Sequence, residues 1–327
     1  MNFPDHTNSY EGLKVLTYST RMDAPNRTEV YRSKMSQRSK NHHFVPQILQ
    51  KQFAAERGGI WYSKRGEDNV FDPPQLRNTR TVFRIRDYYT ILKGDERSDV
   101  VEREFYGQID DYLGTVLPNI LQSFENSVIP TFSGEPLNSL RRVVLEMTKR
   151  TPEFTKKYDD TITGREIVES TVAALSKNPS NEERLRSLND LENPSRLREI
   201  GRSARVQAAI DRSSKVEQAL EDFSVRWVVS ETHHSFILSS MMVYRIGNGG
   251  PNALSNPNME FWMPIAPKIS LVLVRDKEER IPLKFADNRD HIRKVNEYAT
   301  RSSKHIASHS EQLLKSLIGS RARLESK

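Results

Sequence analysis

His42 and His43 are the densest chemistry in this chain, two adjacent imidazoles standing just before Pro46. A proline suits the first turn of a helix because it has no N–H to leave orphaned there. Ile48, Leu49, Gln52 and Phe53 then repeat at helical spacing until Gly58-Gly59 ends the element. The pair is thus expected at a helix N-terminus, where free backbone N–H groups and the helix dipole favour an anion. The same dipole lowers an imidazole pKa, leaving a neutral ring able to ligate a metal or accept a proton. The alternative is that both rings are hydrogen-bonded structurally into the start of the helix.

Other residues able to join such chemistry are separated in sequence. Glu102, Glu104, Asp110 and Asp111 lie in the first half of a helix predicted over 99–125, where the dipole favours carboxylates. Glu104 and Asp110 are six apart, do not share a face of a straight helix, and would have to meet groups from elsewhere. Arg150 precedes Thr151-Pro152, where proline breaks the helix and pushes Thr151 out of the α region. An arginine beside such irregular backbone suits an anionic ligand or a structural carboxylate. His305 and His309, at i and i+4 of a predicted last helix, have a spacing that can hold zinc, but no glutamate follows and no third ligand is evident. Arg196, Arg198, Arg202, Arg205 and Arg212 form a basic run able to touch phosphates, although Glu192, Glu199, Asp211 and Glu217 dilute it toward an ordinary solvated face.

The elements that must position these residues are readable in outline. Residues 1–40 show no sustained period and are expected to be a disordered basic leader, with Met35 an alternative start. Residues 41–325 are read as a single domain, helical over 41–223 and closed by a sheet and last helix over 224–325. The helix over 99–125 is the clearest, its stripe running through Val101, Phe105, Ile109, Tyr112, Val116, Ile120 and Phe124. A second helix runs from about Pro136 to Arg150. Charge-rich helical hairpins broken at Asn178-Pro179 and Asn193-Pro194 fill 153–223. Ile60-Trp61-Tyr62-Ser63 and the extended stretches through Ile91 predict a small N-terminal β-meander. Short apolar runs at 225–229, 234–238, 242–246, 260–264 and 270–274 predict a mostly antiparallel sheet, closed by one long helix over about 290–320. The fold class expected is α+β.

A chain of 327 residues with 36% hydrophobic and 28% charged residues can bury a substantial core. The absence of cysteine excludes thiolate nucleophiles, disulfides and cysteine-ligated zinc. No apolar run reaches the roughly 18 residues of a membrane span, so a cytoplasmic protein is expected. A formal charge of +7 favours nucleic acid or another phosphate-bearing partner. Gly-rich phosphate loops, nucleophile elbows and calcium loops are missing.

Four features in order match a known pattern. They are His42-His43-Phe44-Val45-Pro46 with Gln47-Ile48-Leu49 and Phe53; Tyr88-Tyr89-Thr90 before a Glu-rich helix; Arg150-Thr151-Pro152; and Trp227, then Phe236 to Ser240, then Pro264-Ile265-Ala266-Pro267. The chain resembles the widespread, largely bacterial family called domain of unknown function 4238, whose hallmark is His-x-x-Pro, here His43 to Pro46. The resemblance carries no activity, but it implies that His42, His43, Glu104, Asp110 and Arg150 are the polar landmarks. It also exposes a departure. The family's sheet often carries a Thr-Ser-Asp-x-Pro-like turn, and Leu238-Ser239-Ser240-Met241-Met242 has neither the acid nor the proline, which implies an altered or inactive copy.

Two functions follow as expectations. The first is a metal-dependent phosphodiesterase or nuclease. There His42 or His43 serves as ligand or base, His43, Glu104 and Asp110 hold a divalent metal, and Arg150 stabilises phosphoryl charge. The second is a non-catalytic module that binds nucleic acid or protein, with the histidine pair structural.

Overall fold

The computed structural model describes residues 14–18, 40–56, 58–156, 158–176, 182–211, 213–247, 254–276, 280–286 and 289–325. β1 (Lys14–Tyr18) falls inside the stretch expected to be structureless, and most of that leader lies outside the described residues. β2 (Asn41–His43) leads through Pro46 into α1 (Gln47–Gln52). Pro46 caps this helix from one position earlier than expected. It stays extended at φ −51° and ψ 135°, while its carbonyl accepts from the Leu49 and Gln50 N–H groups at 3.1 Å. The strands expected of a meander are present, as β3 (Ile60–Lys64), β4 (Gln75–Arg77), β5 (Arg84–Arg86), β6 (Ile91–Lys93) and β7 (Glu96–Ser98), but they form no single meander: β3 pairs with β4, β5 with β2 and β6 with β7.

The helix expected over 99–125 comes in two parts, a π-helical turn at Val101–Tyr106 and α2 (Gly107–Glu125). After β8 (Val128–Phe132), α3 (Gly134–Lys149) stops where proline dictates. Arg150 caps it, and Thr151 is extended at φ −95° and ψ 148°. The charge-rich region then folds as α4 (Pro152–Thr155), α5 (Asp160–Ala174), α6 (Glu182–Leu191), α7 (Pro194–Ile210) and α8 (Ser214–Leu220). Asn193 starts α7 by accepting from the Ser195 and Arg196 N–H groups, a role for which asparagine is among the preferred residues. α5 and α7 cross so closely that a Cβ on Gly164 would lie 1.9 Å from the Leu197 carbonyl oxygen, and one on Gly201 1.8 Å from that of Asp160.

The C-terminal part contains β9 (Phe223–Val229), β10 (Leu238–Ser239), β11 (Tyr244–Ile246), β12 (Glu260–Ala266), β13 (Ile269–Arg275), β14 (Lys284–Ala286), α9 (Arg289–Ser302), β15 (His305–Ser308) and α10 (Glu311–Glu325). Five strands form the main sheet in the order β11-β12-β13-β9-β14, antiparallel except for β14 beside β9. Every residue of β12 is buried, as expected of a strand covered on both faces. Trp227 of β9 is fully buried, and its indole N–H donates to the Pro130 carbonyl at 2.7 Å, tying this sheet to β8, which pairs in parallel with β1.

Two expectations fail here. The run at 234–238 is mostly loop, and β10 belongs to a different sheet of order β10-β15-β3-β4. The long closing helix is also interrupted by β15, whose Ile306 and Ala307 are fully buried and whose backbone pairs with β3, Ile306 opposite Ser63. Strand pairing in the core overrides the helical period there. His305 and His309 are consequently not a helical i, i+4 pair. Among the described residues no helix is long and apolar enough to cross a membrane. The class is α+β, as the sequence predicts.

Candidate functional site

Alternation along β2 decides what each histidine can do. β2 pairs antiparallel with β5, His42 opposite Ile85 and His43 opposite Arg84, so that successive side chains face opposite ways. His42 and Phe44 point inward with zero exposure, whereas His43 is half-buried. The His42 Nδ1 accepts from the Tyr89 backbone N–H at 2.9 Å, which places that ring's proton on Nε2, and the ring stacks on Tyr89 at 5.7 Å with only 3° between planes. This imidazole holds the Tyr88-Tyr89-Thr90 segment against β2.

Arg150 is the centre of the cluster. Its side chain has zero exposure and forms a two-pronged ion pair with Asp110, Nη1 to Oδ1 and Nη2 to Oδ2 at 3.1 Å. Nε and Nη2 also donate to the His43 carbonyl at 3.2 and 2.8 Å. The guanidinium lies 4.6 Å from the Tyr106 ring centroid and 5.9 Å from that of Tyr89, whose hydroxyl donates to the Arg150 carbonyl at 2.7 Å. Burial works against the charge, but Asp110, Tyr89 and Glu102 together outweigh it and raise the arginine pKa above its ordinary value. This planar fork matches its acceptors in a way a lysine ammonium would not.

Among the candidate acids, Asp110 is here and Glu104 is not: Glu104 is exposed, and Glu102 takes its place. The cause is the π-helical turn. In a π-turn residues i and i+5 stack, so the buried stripe runs Val101, Tyr106, Ile109 and bypasses Phe105, which is only partly buried. Glu102, Tyr106 and Asp110 then all act on Arg150. Their spacing of four and four was the available signal, masked by the stripe through Phe105.

Glu102 carries the most perturbed acid of the cluster. Burial pushes its carboxyl up to about 7, with Asp110 and Asp99 adding to the effect and Arg150 and the His43 backbone N–H opposing it. Its Oε2 is buried and, among the described residues, has no hydrogen-bond partner. The His43 ring donates to the Arg80 carbonyl, and the Gln47 amide lies 3.4 Å from its Nε2 and 3.5 Å from its Nδ1. Burial lowers the His43 pKa, Arg150 and Arg84 add to that, and the Arg80 carbonyl and Asp110 oppose it.

The metal reading does not assemble. Among the described residues no three His, Asp or Glu side chains gather as a metal site would require, so His43, Glu104 and Asp110 do not form the expected ligand set. His305 sits on β15 against Phe44 and Tyr62, with Nδ1 2.5 Å from the Tyr62 hydroxyl, and burial lowers its pKa to about 4. A carboxylate lies beside the Leu238–Met242 turn. Glu153 of α4 accepts from the Ser240 hydroxyl and from the Lys304 N–H at 2.7 Å, with its second oxygen buried and unpartnered.

Two arginines of the basic run, Arg196 and Arg205, are ion-paired. Arg196 bonds Asp95, and Arg205 grips Asp160 at 2.8 and 3.2 Å. Arg198 is exposed, Arg202 is half-buried, and Arg212 lies outside the described residues.

The sequence model of the family described as Protein of unknown function (DUF4238) matches residues 41–314. No curated protein matches. No solved structure matches either.

Proposed function

The chain belongs to the DUF4238 family, a name without an activity, and from its own geometry we propose a non-catalytic module that binds nucleic acid, with the histidine pair as scaffold. The observation that carries this is Arg150. With zero exposure and its donors engaged by Asp110 and the His43 carbonyl, it has no face to offer a phosphoryl group. His42 is committed in the same way to Tyr89. These groups join β2, α2 and α3 through satisfied buried hydrogen bonds, which is the usual condition of buried polar residues. The formal charge of +7 supplies attraction to a polyanion. A cytoplasmic setting, where nucleic acid is abundant, is part of the proposal.

Fluorescence anisotropy with labelled single-stranded and duplex oligonucleotides tests it. Affinity should fall steeply with salt as counterions are released, and His43→Ala should bind like wild type, with neither cleaving the probe. No binding at low salt would sink the reading.

A second reading, a hydrolase acting on phosphodiesters, is favoured by Glu102. A carboxyl whose burial raises its pKa to about 7, held at the His43 backbone N–H, has the character of a general acid. Cleavage by wild type that is abolished in both Glu102→Gln and His43→Ala would establish it in place of the first.

A further inference from the structure

β2 and β5 form a two-stranded ribbon whose outward face is basic. Cross-strand partners share a face of such a ribbon, and so do alternate residues along each strand. The pairs His43 with Arg84 and Asn41 with Arg86 therefore stand on one face, and His42 with Ile85 on the other. Burial agrees, since Arg84, Arg86 and Asn41 are exposed, His43 is half-buried and His42 has zero exposure. Two more cations adjoin this face. Arg80, exposed, has its carbonyl on the His43 ring, and Lys40, also exposed, stands at the end of the ribbon, where its carbonyl accepts from the Asp87 N–H at 2.8 Å.

The ribbon is short, and its ends are pinned. Phe83 and Asp87 flank β5 with φ of 52° and 55°, a left-handed backbone that the burial of both residues holds in place. The Phe44 N–H donates to the Phe83 carbonyl at 3.0 Å and closes the end opposite Lys40. The β5 arginines are thus presented by a fixed backbone. Little opposes their charge. Asp87 lies 3.6 Å from Arg86, but its carboxylate is mostly buried and the Arg86 side chain stays 74% exposed. Asp110 is matched by Arg150, and Glu102 is taken up at the His43 N–H. Among the described residues Arg80 and Arg84 make no ion pair.

Cations held at fixed spacing on a rigid face suit a partner whose negative charges are also regularly spaced. A nucleic-acid duplex carries one charge per about 1.7 Å of its axis, and the wide groove of DNA admits a two-stranded ribbon. A single strand is held instead by aromatic platforms under its bases. The rings along this stretch, Phe44, Phe83, Tyr88 and Tyr89, are all buried. We infer that this face of the β2–β5 ribbon binds the phosphate backbone of a nucleic-acid duplex independently of sequence, with Arg84 and Arg86 on neighbouring phosphates and Arg80 and Lys40 at the flanks. His43 keeps its structural hydrogen bond beneath them. Phosphate contacts of this kind position a protein without reading bases. The inference rests on the binding-module reading and gives that module its surface.

The test titrates the full chain, across a range of salt concentrations, with two fluorescein-labelled DNA duplexes of unrelated sequence, an RNA duplex and a single strand of the same length. It compares wild type with Arg84→Ala, the double variant Arg84→Ala with Arg86→Ala, and Lys294→Ala, which removes an exposed cation of α9. The two DNA duplexes should bind alike, with log K falling against log salt at a slope of about −3 to −4, as for four phosphate contacts. Arg84→Ala should flatten that slope by about 1 and the double variant by about 2. The double variant should bind roughly 10- to 100-fold more weakly, and Lys294→Ala like wild type. A preference for DNA or RNA duplex that is lost in the double variant supports the surface and names the polymer. A double variant as tight and as salt-dependent as wild type overturns the ribbon but leaves a binding module elsewhere. A single strand held more tightly than any duplex overturns the duplex as occupant. Binding of no probe at low salt overturns the ribbon and the module together. Thermal midpoints of the variants, expected within a few degrees of wild type because both arginines are exposed, guard against misfolding.

Discussion

At the scale of single residues, the cluster around Arg150 shows how far polar side chains can be read before a fold is known. Asp110 and Arg150 meet, with His43 joining through its backbone carbonyl; an arginine before Thr-Pro, left beside irregular backbone by the broken helix, suited an anionic ligand and a structural carboxylate equally. Glu104 entered as a landmark through the family resemblance, but it lies exposed on the π-turn at Val101–Tyr106, and Glu102, four residues before Tyr106 and eight before Asp110, reaches the cluster instead. If the cluster is scaffold, its loss should appear in stability. Arg150→Ala should cost about 2–4 kcal/mol, less than a fully stranded charge because Asp110 reaches solvent. Arg150→Lys should recover only part of this, since an ammonium cannot serve Asp110 and the His43 carbonyl in one plane. Urea unfolding measures both, and a loss under about 1 kcal/mol for Arg150→Ala would remove the scaffold argument.

At the scale of elements, helices and breaks set by proline were legible, and pairings between distant strands were not. Asn193-Pro194 and Arg150-Thr151-Pro152 act through local sterics and capping, which sequence carries directly. β15 exists because β3 and β10 offer edges on both sides of it, a fact about positions some 65 and 240 residues away. The α5–α7 crossing is similarly non-local, and it carries the ion pair of Asp160 with Arg205. Gly201→Ala should therefore destabilise the protein by about 2–3 kcal/mol through overpacking. Gly319→Ala on α10, where an added Cβ meets nothing within 4 Å, should instead stabilise by about 0.5–1 kcal/mol through helix propensity. Equal urea midpoints for the two alanine variants would show that the crossing is not tight.

At the scale of the whole molecule, buried titratable groups of opposite kind should shape how stability responds to pH. His305 has its pKa lowered to about 4 by burial, with Lys64 and Lys304 adding to the effect, so between about 4 and 6.5 the unfolded chain holds a proton that the folded chain lacks. Stability from this group is present above that window and lost as pH falls through it. His43, also lowered chiefly by burial, acts in the same direction. Glu102 acts the other way. Its folded pKa near 7 exceeds the ordinary value of 4.5, so the folded chain holds the extra proton, and stability present below 4.5 is lost as pH rises toward 7. The windows overlap between about 4.5 and 6.5, where the contributions oppose one another, and above 6.5 the Glu102 loss stands alone. Glutamine cannot ionise, so Glu102→Gln should remove one side of this balance. Wild type should show a shallow profile from pH 4.5 to 6.5 and a decline toward pH 7, whereas Glu102→Gln should gain stability steadily up to pH 6.5 and then level off. At pH 8 the variant should exceed wild type by an amount on the order of 3 kcal/mol at most, the size set by a carboxyl shifted about this far. Urea midpoints at pH 4.5, 5.5, 6.5 and 8 measure the difference, and superimposable profiles would mean that Glu102 titrates as an ordinary surface acid. In that case the second reading loses its proton donor as well.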